Sequence, residues 1–264
     1  MDAESVLLRK GPSSDEIHDK ELVASIDAIL NKKKHRYGSP RMARELRQGG
    51  WQVGHNQVSR LMRDKGLGAR PRKAFRVTTK SNHGLVVVPN LLGWDFAVPG
   101  ADKVWVSDIS YIATAEEWLY VCVILDLYAR RVVGLSMRSM LCTGLVLGVF
   151  MMAVLLRQPP RGLVFHSDRG VQCCAKGCSR RVRAWGDAAE HEPQGDCWNN
   201  ARADSFFENL KTELLGRQIL TTRGEARAAI FELIEVSYNR QRLHLYLDCC
   251  MPAEYEANSG ARVT

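Results

Sequence analysis

Between residues 104 and 166 the chain orders its elements in a way that few folds accept. Three short runs rich in β-branched and aromatic residues, Val104 to Ile112, Trp118 to Asp126 and Arg131 to Met137, read as strands joined by hairpins. A nearly all-apolar stretch, Leu141 to Leu156, follows and stops at Pro159-Pro160, after which Leu163 to His166 supplies a fourth strand. Helical periodicity dominates from there on. It is clearest in EARAAIFELIEVSYNR, where Ala226, Ile230, Leu233, Ile234 and Tyr238 share one face. Three hairpin-connected strands, a helix, a strand and then helices predict an α/β fold, a mixed sheet flanked by helices. The apolar stretch contains Thr143 and two glycines and falls short of the ~20 residues that span a bilayer, so it reads as a buried core helix and no membrane anchor is expected.

Two aspartates occupy matching strand-end contexts, Asp108 in WVSDISYI and Asp168 in LVFHSDRGVQ. A third carboxylate, Asp204 in NNARADSFFENLK, follows the second after 35 intervening residues. A single aspartate at a strand end is usually a turn or cap residue. Three in such distinctive surroundings imply more, because hard cations such as Mg²⁺ take oxygen ligands and carboxylates from separate elements can hold two of them a few Å apart. Such a pair activates a water or hydroxyl on one side of a phosphodiester and stabilises the leaving oxygen on the other. In a mixed sheet the first and fourth strands can be neighbours, which would bring Asp108 and Asp168 together.

The rest of the chain suits a nucleic-acid partner. Lys+Arg of 37 against Asp+Glu of 29 leaves a net charge of +8, and the positive residues cluster at Lys32-Lys33-Lys34-His35-Arg36, at Arg70-Pro71-Arg72-Lys73 and at Arg180 to Arg183. Residues 1–14 lack periodicity and read as a disordered leader; 15–68 read as a helix-turn-helix domain, 69–100 as a basic linker that crosses a phosphate backbone, and 101–264 as the catalytic core. Within the small domain Leu22, Ile26, Ile29 and Leu30 line a first helix. Ser39-Pro40 opens a second as N-cap and first helical residue, and Gly49-Gly50 ends it. HNQVSRLMRDKG supplies a third helix with Val58, Leu61 and Met62 inward. Its outward Gln57, Arg60 and Arg63, with Arg70, Arg72 and Lys73 of the linker, are the predicted DNA contacts; each is equally a residue type found on any solvated surface. The eight cysteines follow no signal peptide and no paired framework, which points to a reducing cytoplasm. Cys173, Cys174 and Cys178, near His166 and Cys197, fit no zinc spacing.

WVSDISYI, LDLYARRVVGLSM, HSDRGVQ, GDCWNNARADSFFENLKTE and FELIEVSYNRQRLH, in that order, resemble the signature blocks of the longer-frame transposases of bacterial insertion sequences, whose core is related to retroviral integrases. HRYGSPRMARELRQGGWQVGHNQVSRLMRDKGL extends the resemblance, which runs from about residue 36 to 256. It implies a ribonuclease-H-like core behind a small helix-turn-helix domain, two Mg²⁺ ions that Mn²⁺ can replace, nicking at element ends and strand transfer by the freed 3′-hydroxyl. It further implies a smaller upstream-frame partner protein, a homo-oligomer on DNA, and work at the bacterial nucleoid in the cytoplasm. By motif, Asp108, Asp168 and Asp204 are the catalytic and metal-holding residues.

The third position departs from the family, which has glutamate there. Glu208 and Glu213 lie out of register with that motif, although Glu208, one helical turn on, is a conceivable substitute. Residues 185–194, WGDAAEHEPQ, also differ from the family, which has a block near HGI-x-PSMSRKG. Codons for Asp187 to Gln194 can be written so that reading one base later spells Met-Gln-Pro-Ser-Met-Ser-Arg-Lys, which is that block. Two compensating one-base shifts would account for the change while keeping the 35-residue gap. Cysteines at 173, 178 and 249 and asparagine at 199 are further departures. The expectation is therefore a DNA transposase, with a catalytically impaired DNA-binding remnant as the alternative. A third reading, a ribonuclease-H-type hydrolase without strand transfer, leaves the helix-turn-helix and basic linker without a purpose.

Overall fold

The protein is described by a computed structural model covering residues 14–69, 98–167, 188–191, 201–215 and 220–260, with the backbone alone at 14–16, 188–191, 201, 215 and 259–260. It divides into two compact units, Met1–Arg70 and Pro71–Thr264. The leader through residue 13 and linker residues 70–97 lie outside the described residues.

The first unit packs three helices, α1 (Ser14–Lys32), α2 (Ser39–Gln48) and α3 (His55–Asp64). Each contributes one apolar stripe at helical spacing, and Leu22, Ile26, Leu30, Met42, Leu46, Val58, Leu61 and Met62 form the core. Ile29, expected on the same stripe, is half-buried at its edge. The α2–α3 turn needs Gly50, which adopts φ +91° where a side chain would be strained. Arg47 then fixes the turn by donating from Nε to the Val53 carbonyl at 2.8 Å. At the start of α2 the sequence expectation shifts by one residue: Gly38 is the cap and Pro40 lies within the first two helical positions. The Ser39 hydroxyl instead meets His55 Nε2 at 3.1 Å.

The second unit is built on a five-stranded sheet in the order β3-β2-β1-β4-β5. Its strands are β1 (Val104–Ala113), β2 (Trp118–Asp126), β3 (Val132–Arg138), β4 (Val164–Ser167) and β5 (Ala188–His191). β1, β2 and β3 form an antiparallel meander, whereas β4 runs parallel to β1, and β5 parallel to β4. β5 falls inside the stretch that departs from the family, and its backbone nonetheless pairs with β4 from Val164 to Ser167.

Helix α4 (Thr143–Arg157) covers one face of the sheet, packing Leu145, Val149, Phe150 and Ala153 on Trp105, Cys122, Ile124 and Phe165. It approaches β3 so closely that a Cβ on Gly134 would lie 2.9 Å from the Val149 carbonyl oxygen. The opposite face is covered by α5 (Ala201–Leu215) and α6 (Arg223–Glu232), the latter continuing as a π-helical turn through Tyr238. The face shared by Ala226, Ile230, Leu233, Ile234 and Tyr238 is buried as its spacing predicts. A last helix, α7 (Pro252–Gly260), brings Glu256 to Arg157 at 2.6 Å, and Arg157 also grips Asp102 through two nitrogens at 3.0 and 2.7 Å. Among the described residues no helix is long and apolar enough to cross a membrane.

Candidate active site

Strand alternation decides which face each β1 side chain uses. Val104, Val106 and Ile112 join Ala203, Phe206, Phe207 and Leu210 of α5 in one core, whereas Trp105 and Ile109 lie with α4. Asp108 shares the parity of Val106 and therefore stands on the α5 face, buried at 8 % exposure. Its Oδ1 accepts the Ile109 backbone N–H at 2.7 Å, which holds the carboxylate against its own strand.

Beside it, β4 pairs with β1 as far as Ser107↔Ser167, the residues immediately before Asp108 and Asp168. Asp168 itself lies outside the described residues, as do Arg70, Arg72, Lys73 and Cys173, Cys174, Cys178 and Cys197. Among the described residues no strand flanks β1 on that side beyond Ser107, and the next partner there is Leu220, bridged to Thr114.

Asp204 occupies the first turn of α5 and is exposed, while Glu208, one turn on, is half-buried. The spacing 204, 208, 211 follows one helix face. Lys211 lies at its far end, and the sequence reading did not single it out although that spacing was available. Burial pushes the Lys211 ammonium down from its ordinary range, opposed by the negative charge of Asp108. The same ammonium stands 4.8 Å from the centre of the Tyr111 ring. Among the described residues no three histidine, cysteine, aspartate or glutamate side chains converge. The donor chemistry of Asp108 and Asp204, hard carboxylate oxygen on facing elements, is the kind Mg²⁺ accepts.

In the first unit, Arg60 and Arg63 are exposed and Gln57 is half-buried. Two of these predicted contacts are engaged within the chain: Gln57 Nε2 and Arg60 donate to the two carboxylate oxygens of Asp19 on α1, at 3.3 and 3.1 Å. Arg63 extends beside Asp64 at 3.7 Å with its side chain largely in solvent.

A mixed sheet of this order, with an aspartate on its central strand and a carboxylate-bearing helix over the same face, defines a ribonuclease-H-like core of the integrase class. Sequence comparison agrees: an HTH-like domain family matches residues 16–75, and two integrase core domain families match 99–197 and 204–259. An uncharacterized 31 kDa protein of insertion element IS600 from Shigella sonnei is 36 % identical over 92 % of this chain and 90 % of its own length. The transposase InsF of insertion sequence IS3A from Escherichia coli K12 is 34 % identical over 87 % of this chain and 80 % of its own. The chain belongs to this family of insertion-sequence transposases. Among solved structures, the magnesium-bound HTLV-2 integrase catalytic core aligns with a TM-score of 0.43 at 14 % identity, over 60 % of this chain and 98 % of that one.

Proposed function

We propose that this chain is a DNA transposase that cleaves DNA at element ends and joins them to target DNA, with Asp108, Asp168 and Asp204 as its catalytic, metal-holding residues. The observation that carries the reading is the parallel Ser107↔Ser167 pair, since the next residue in the sequence after each is one of the first two aspartates. α5 over the same face of β1 supports Asp204 as the third. Two bound Mg²⁺ ions would supply Lewis acidity and an activated water. Water then adds to the phosphorus at the element end, breaking the P–O3′ bond and leaving a 3′-hydroxyl. In the second step that hydroxyl attacks a target phosphodiester, forming one P–O bond and releasing one 3′-hydroxyl of the target. Lys211, whose charge Asp108 favours against its burial, stands where a backbone phosphate approaches the carboxylates. Gln57, Arg60 and Arg63, with Arg70, Arg72 and Lys73, contact the element end, so affinity falls steeply with salt. The protein acts as a homo-oligomer on DNA at the nucleoid, with a smaller upstream-frame protein as partner.

A second reading, a DNA-binding remnant of reduced activity, is favoured by Asp204. Its side chain is one methylene shorter than the family's glutamate, a retreat of about 1.5 Å, one carbon–carbon bond. Cleavage of labelled element-end DNA in Mg²⁺ and then Mn²⁺ separates the two. Product in both metals supports the transposase, weak product in Mn²⁺ alone an impaired one, and binding without product the remnant. Cleavage that persists in Asp108→Asn would refute the site assignment.

A further inference from the structure

The part of β1 past Ser107 carries more than a carboxylate. Three residues beyond Asp108, about 10 Å along the strand, Tyr111 is 44 % exposed, and Trp118 at the start of β2 is 48 % exposed. The two rings meet edge to face with centroids 5.0 Å apart. They lie on one face of the hairpin because Trp118 pairs with Ala113, two residues past Tyr111; it is the face of Trp105 and Ile109, opposite to that of Asp108. A large aromatic pair left in solvent forgoes burial, which for rings of this size is a substantial stabilisation. The hairpin that carries the pair is pinned at its turn. Arg223 Nε donates to the Trp118 carbonyl at 3.3 Å, its NH2 binds Glu117 at 2.5 Å, and its backbone N–H donates to Glu116 at 2.9 Å. Those contacts also neutralise Glu117 at this end of the hairpin. On the other side the Lys211 ammonium sits against Tyr111 while facing Asp108.

We propose that Tyr111 and Trp118 form a stacking platform for an unpaired nucleobase of the DNA end undergoing cleavage. Aromatic faces beside a cation are the chemistry that takes single-stranded nucleic acid, because every base has a π-face and every nucleotide a phosphate. Holding that base keeps the frayed end open beside Lys211, whose ammonium touches Tyr111 and feels the charge of Asp108. The proposal rests on the transposase reading for the identity of the DNA, and the platform itself needs neither metal nor cleavage.

The test uses the full chain without divalent metal and two oligonucleotide duplexes of one sequence, one fully paired and one with a few unpaired nucleotides at an end, with 2-aminopurine among them. Wild type and Trp118→Phe are expected to quench the unpaired 2-aminopurine. Trp118→Ala and Tyr111→Ala should lose the quench and bind the unpaired-end duplex about tenfold more weakly, within the range for losing one base–aromatic stack, with the paired duplex unaffected. Thermal unfolding of both alanine variants checks that the core is intact. An unchanged quench in both alanine variants, or equal losses on both duplexes, overturns the platform. So does a changed sedimentation coefficient with unchanged DNA binding, which would make the surface a contact between copies of the chain. A parent chain that fails to cleave DNA yet shows the quench would count against the transposase reading alone.

Discussion

Asp126 ends β2 in full burial, and the energetic consequence is large enough to measure. Its Oδ2 accepts the Asp102 backbone N–H at 2.6 Å, and its Oδ1 accepts those of Tyr128 and Ala129 at 2.8 and 3.4 Å. These bonds favour the charged form, but desolvation outweighs them and raises the carboxyl from 3.8 to about 6. Between those values the native state binds the proton more tightly than the unfolded chain does. Its stabilising contribution is therefore fully present below pH 3.8 and is lost as pH rises through about 6. A shift of roughly two units at 1.36 kcal/mol each amounts to about 3 kcal/mol. Asp126→Asn removes this titration. Urea unfolding of both proteins at intervals from about pH 3 to 8 should show the parent losing about 3 kcal/mol relative to the variant across that range. Other groups titrate in both proteins and cancel in the difference. Parallel stability profiles would refute the assignment of a buried, proton-retaining carboxyl.

Gly134→Ala should destabilise the core by about 1–3 kcal/mol, read as a lower thermal midpoint, because its Cβ would meet the Val149 carbonyl and Ala153. Asn239 donates to the Val132 carbonyl and accepts its N–H, both at 3.0 Å and buried. Asn239→Ala orphans both backbone groups and should cost about 2–4 kcal/mol in urea unfolding. Asp19→Ala releases Gln57 and Arg60 and removes a negative charge beside them. It should tighten non-specific DNA binding at low salt and steepen the salt dependence by about one phosphate contact, a slope change of ~0.9; an unchanged slope would take Arg60 off the DNA face.

The sheet was legible because β1, β2 and β3 are dense in β-branched and aromatic residues and carry hairpin spacing, and their boundaries agree with the sequence reading to within a residue. The place of Asp108 on β1 was legible from its strand context. Its neighbour Lys211 was harder to see, since it reads as one more charge on a helix until α5 is laid over β1. β5 escaped notice because Ala-Ala-Glu-His carries no strand signal. It exists through backbone bonds to β4, a non-local cause that side-chain pattern does not encode. The α3 contacts illustrate the same limit. Periodicity correctly turned Gln57 and Arg60 away from the core but had no means of finding Asp19, about forty positions earlier, waiting on α1.

The most direct measurement compares the parent chain with Asp204→Glu in cleavage and joining of element-end DNA. A misplacement of ~1 Å in a catalytic group costs on the order of a hundredfold in rate, so restoring the missing methylene should raise strand cleavage in Mg²⁺ by about that factor. Equal rates in the two proteins would contradict Asp204 as the third carboxylate.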